Sequence, residues 1–68
     1  MKTHHIVIIE TLNELRLEVD GKPAMMHVVK IADRNKAIYD EMKARAFTAA
    51  LNLSRQGGQV KFDYFVNM

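Results

Sequence analysis

The sequence predicts an α+β domain in which a four-stranded mixed sheet carries one long helix on one face, and three observations predict it. Ile6-Val7-Ile8-Ile9 is an unbroken β-branched run, the mark of a strand that is apolar on both faces. Apolar and polar residues alternate over Leu15 to Asp20 and again over Val60 to Val66, as half-buried strands require. Between residues 33 and 56 no Pro or Gly interrupts a stretch rich in Ala, Leu, Met, Lys, Arg and Glu, which reads as one helix.

Each element follows from local chemistry. The first strand ends near Thr11, where Leu12-Asn13-Glu14 turns the chain. Leu15, Leu17 and Val19 then give the second strand one dry face, while Arg16, Glu18 and Asp20 wet the other. Asp20-Gly21 is a hairpin signal, because both residues tolerate positive φ. The third strand is expected over Met25 to Ile31, and Pro23 before it favours an outer position because it has no N–H to donate to a neighbour. Asp33 is the expected N-cap of the helix and Gly57 its left-handed stop, giving a helix close to Asp33 to Gln56. The order is then β-β-β-α-β. A right-handed crossover through the helix lays the last strand parallel to the first, in sheet order 3-2-1-4 within a single domain spanning residues 1–68.

Advancing about 100° per residue divides the helix into three faces. Ile38, Tyr39, Met42, Ala46, Ala49, Ala50 and Leu53 form the core arc. Arg34, Glu41, Arg45, Thr48, Asn52 and Arg55 form a polar stripe facing water, with Glu41 spaced to pair with Arg45. Phe47 and Leu51 lie together on a third face, roughly opposite the core arc. One helix covers one face of a sheet, so Val7 and Ile9, joined by Phe65, are expected to lie bare on the other.

Composition narrows the function. A chain of 68 residues buries only about 60% of its unfolded surface, and without cysteine it has neither disulfides nor thiolate metal sites as staples. Oligomerisation is the remaining supplement. The longest apolar run is too short to span a bilayer and MKTHH lacks the apolar region of a signal peptide, which points to a cytoplasmic protein without membrane contact. The net charge of +2 permits polyanion binding without demanding it.

Catalytic chemistry is poorly supplied. His4 and His5 are adjacent on a strand and point to opposite faces, so they do not grip one ion. Ser54 has no His, Asp or Glu at helical spacing to activate it, and Asp40 and Glu41 diverge around the helix instead of forming an acid/base pair. Gly57-Gly58 follows a helix C-terminus, whereas phosphate-cradling loops lead into an N-terminus. No catalytic residue, metal or cofactor is expected.

The sequence therefore points to a non-catalytic protein-interaction module with a regulatory or inhibitory role. It would self-associate as a homodimer or higher oligomer, or bind a host protein, with Phe47, Leu51, Phe65, Val7 and Ile9 as contact candidates. The alternative is a small dimeric nucleic-acid binder that tracks phosphates with Arg34, Arg45, Arg55 and Lys61 and stacks bases on the aromatics of Lys61-Phe62-Asp63-Tyr64-Phe65.

Overall fold

The computed structural model describes residues 2–68. The chain runs β1 (Thr3–Thr11), β2 (Leu15–Val19), β3 (Lys22–His27), α1 (Lys36–Arg55) and β4 (Gln59–Asn67). The strands form one sheet in the order β3-β2-β1-β4, with β1 antiparallel to β2 and parallel to β4. The β-β-β-α-β order, the sheet order and the parallel pairing of β4 with β1 are those expected from the sequence. No helix among the described residues is long and apolar enough to cross a membrane.

The strand pairing assigns every side chain to a face. Ile6 lies opposite Val19 on β2 and Phe62 on β4, and Ile8 lies opposite Leu17 and Tyr64. His4, Ile6, Ile8 and Glu10 therefore share the helix-side face with Val60, Phe62, Tyr64 and Val66. Ile6, Leu15 and Leu17 pack there against Met42 and Ala46 to form the fully buried core, ringed by Ile8, Val19, Met25, Ile38, Tyr39, Ala49, Ala50, Leu53 and Val60.

Two turns explain the register. Asp20 and Gly21 both have positive φ, 53° and 80°, as a type I′ hairpin requires. Asp20 also ties the hairpin to β1, since its carboxylate accepts from the His5 N–H at 2.9 Å and from His4 Nδ1 at 2.7 Å. The His4 contact first, and the His5 N–H second, hold the Asp20 carboxyl below its ordinary 3.8. At the other end of the crossover Gly57 closes α1 at φ 87°. Gly58 then passes so close to β1 that a Cβ there would stand 2.6 Å from the His4 ring.

The structure corrects three local expectations. The third strand occupies Lys22–His27, not Met25 to Ile31, because β2 has only five residues and its pairing with β3 ends at Leu15 opposite His27. The helix begins three residues later than expected. Ile31–Asp33 forms a short 3-10 turn, Arg34 is extended, and Asn35 is the N-cap, its side-chain oxygen accepting from the Ile38 N–H at 3.1 Å. Glu41 approaches His27 Nε2 at 3.9 Å and, among the described residues, makes no ion pair with Arg45.

Candidate protein-docking surface

Strand β4 positions the candidate site. It is a nine-residue strand at the edge of the sheet, paired in unbroken register with β1 on its inner side. Among the described residues no strand pairs with its outer side. The opposite edge differs. Strand β3 carries Pro23 and a register shift at Leu17/Glu18, two devices that blunt an edge against further pairing. In β4 neither is present, so a full row of backbone donors and acceptors stays available.

Helix α1 packs against the core residues of β1 and β2 and meets β4 at Val60, leaving Phe62, Tyr64 and Val66 of the same face largely exposed. Val60 packs at the margin of the core, while Phe62 is 53% exposed although it points to the same side as the helix. Beside it stand Phe47, 63% exposed, and Leu51, 42% exposed. Phe47, Ala50, Leu51 and Ser54 of α1, together with Val60 and Phe62 of β4, line an open groove of about 580 Å³. Phe47 and Leu51, outside the core arc, thus border the side of α1 that overlooks β4. Ala46 is the deepest residue of that part of the helix, and Phe47 and Ala50 rotate from it toward β4.

The other contact candidates occupy a different surface. Val7, Ile9 and Phe65 lie on the face away from the helix, but Val7 is only 8% exposed and Ile9 is half-buried. That face is not the bare apolar patch expected from the sequence. Its neighbours Glu18 and Asp63 stand directly opposite Val7 on the two adjoining strands, and the Asp63 carboxylate holds His5 Nε2 at 2.5 Å across the same surface. Phe65 remains exposed there at 53%.

The four cations of the nucleic-acid alternative do not share a surface. Arg34 is outside the helix and its side chain is only 1% exposed. It donates to the backbone carbonyls of Val29 at 3.1 Å, Glu14 at 2.9 Å and Thr11, and lies 3.7 Å from Glu10. This is a correction: a guanidinium spent on buried carbonyls cannot face phosphates. Arg45 borders a smaller groove on the β3 side of α1, with Leu17, Ala24 and Met25. Arg55 is in the last turn of the helix, and Lys61 projects from the face of the sheet that α1 does not cover.

A buried polar cluster escaped the sequence analysis. Glu10 is 8% exposed, and its carboxylate accepts from the hydroxyls of Tyr39 at 3.2 Å and Tyr64 at 2.5 Å beside Arg34. Partial desolvation of a half-exposed ring, followed by this bond, pushes the Tyr64 phenol up to about 12. The visible signal was a carboxylate placed in step with Ile6 and Ile8 on an apolar strand, which requires buried partners. His4 and His5 diverge to Asp20 and Asp63, on opposite faces. Among the described residues no three His, Asp or Glu side chains converge as metal ligands would. Comparison with protein-family models, with curated proteins and with solved structures found no match to this chain.

Proposed function

We propose that this chain is a non-catalytic protein-interaction module that works by self-association through the α1–β4 surface and serves a regulatory or inhibitory role. The observation that carries the reading is one contiguous surface: Phe47, Leu51 and Phe62 stand exposed beside the open edge of a nine-residue strand. Backbone pairing along such an edge supplies affinity, and apolar anchors beside it supply specificity. A domain this small, without disulfides, also has the most to gain from burying that surface.

Replacing Phe47 and Leu51 together with Ser removes two anchors without altering Met42 or Ala46 of the core. The expected outcome is a folded protein whose association, followed by sedimentation equilibrium, is weaker by about 1 to 3 kcal/mol. Arg45→Glu with Arg55→Glu, on other parts of α1, leaves association nearly unchanged. The opposite ranking, accompanied by steeply salt-dependent binding of the parent to oligonucleotides, sinks this proposal in favour of nucleic-acid binding.

A further inference from the structure

We infer that the occupant of the β4 edge is a second copy of this chain, added antiparallel about a two-fold axis at Phe62, so that Lys61 of each copy faces Asp63 of the other. The inference rests on the self-association proposed above and specifies its register.

Backbone parity comes first. The Gln59 N–H donates to the Lys2 carbonyl at 3.0 Å, so Gln59, Lys61, Asp63 and Phe65 turn their backbone groups toward β1. Val60, Phe62, Tyr64 and Val66 turn theirs outward, where a second strand can bond them. A two-fold at Phe62 makes Phe62 with Phe62 of the second copy a hydrogen-bonded pair, and Val60 with Tyr64 the next ones on either side.

Charge then selects among registers. Centring on Lys61 opposes Lys61 to itself, and centring on Asp63 opposes Asp63 to itself, which destabilises the pairing. Centring on Tyr64 sets Asp63 against Phe65. Centring on Phe65 carries Lys61 past the end of the neighbouring strand. Only the Phe62 register among these places Lys61 opposite Asp63, and symmetry makes that contact twice. It also keeps both charges on the face away from the helix and puts aromatic against aromatic on the helix side, a favourable cross-strand pair. The axis runs perpendicular to the sheet, so both α1 helices stay on one face. The two grooves lined by Phe47, Leu51 and Phe62 then merge over the central Phe62 pair. The β3 edge, with Pro23 and its register shift, is a poor acceptor for the same strand.

The test uses two charge variants that are each self-incompatible and mutually compatible. Lys61→Asp makes both positions acidic and Asp63→Lys makes both basic, so each variant alone should dimerise roughly tenfold more weakly than the parent. Mixed in equal amounts, they should form a heterodimer close to parental affinity, because both pairs between positions 61 and 63 again join opposite charges. A mixture that associates no better than either variant alone overturns the register. A second measurement is independent of these substitutions: in a mixed isotope-labelled parent sample, intermolecular contacts should join Val60 to Tyr64. Contacts joining Val60 to Val66 overturn the register while leaving self-association standing, whereas a parent that stays monomeric overturns both.

Discussion

Glu10 and Tyr64 show how a single buried charge organises the residues around it. A carboxylate taken out of water is tolerable only when partners compensate it, and here the hydroxyls of Tyr39 and Tyr64 donate to it while the Arg34 guanidinium lies 3.7 Å away as a counter-charge. The effect on Tyr64 is measurable. Its phenol is raised from 10.0 to about 12, so the folded chain holds that proton more tightly than the unfolded chain does. The contribution is therefore complete below pH 10 and is lost as the pH rises from 10 toward 12. Absorbance titration of the phenols should show one group ionising near pH 12, and Tyr64→Phe should abolish that step along with part of the alkaline loss of stability. Ionisation of Tyr64 at its ordinary value would show that its hydroxyl does not donate to Glu10.

At the scale of elements, Arg34 does what no strand or helix does alone. It fastens the turn between β1 and β2, through the carbonyls of Thr11 and Glu14, to the connection between β3 and α1, through that of Val29. Arg34→Met keeps the length of the side chain but leaves these buried carbonyls and Glu10 without their cation. The expected cost is about 3 to 5 kcal/mol in denaturant unfolding, a large share of the total stability of a domain this small. A loss below about 1 kcal/mol would mean that water replaces the guanidinium. The sequence placed Arg34 on the helix because its spacing fits the polar stripe, and spacing alone does not reveal that Arg34 is extended and that Asn35 is the cap. Periodicity served better where the element is long. The β-branched run of β1, the alternation in β2 and β4, and the Gly57 stop made the sheet order legible in the sequence. Phe62 was not legible as a protein-contact residue for a different reason. Its parity puts it on the helix side, but parity does not tell that α1 leaves its ring half exposed beside Phe47 and Leu51.

For the whole molecule, the asymmetry of the sheet's two edges is the feature from which the functional reading grows. One edge ends in a short strand with Pro23 and an irregular register, and the other in nine regular residues flanked by Phe47, Leu51 and Phe62. A single sheet covered on one side by one helix has little core to spare. Joining two such sheets edge to edge would lengthen the sheet, pair the outward-facing groups of β4 and cover the groove at once. Amide hydrogen exchange across β4 at two protein concentrations, about 500 μM and about 1 μM, tests this most directly, because it reads the edge one residue at a time. The amides of Gln59, Lys61, Asp63 and Phe65 turn toward β1 and should be protected at both concentrations. Those of Val60, Phe62 and Tyr64 turn outward and should be protected only at the higher concentration, losing protection together on dilution. Rapid exchange of these three amides at both concentrations, in a protein whose β1-facing amides remain protected, would contradict self-association through the β4 edge.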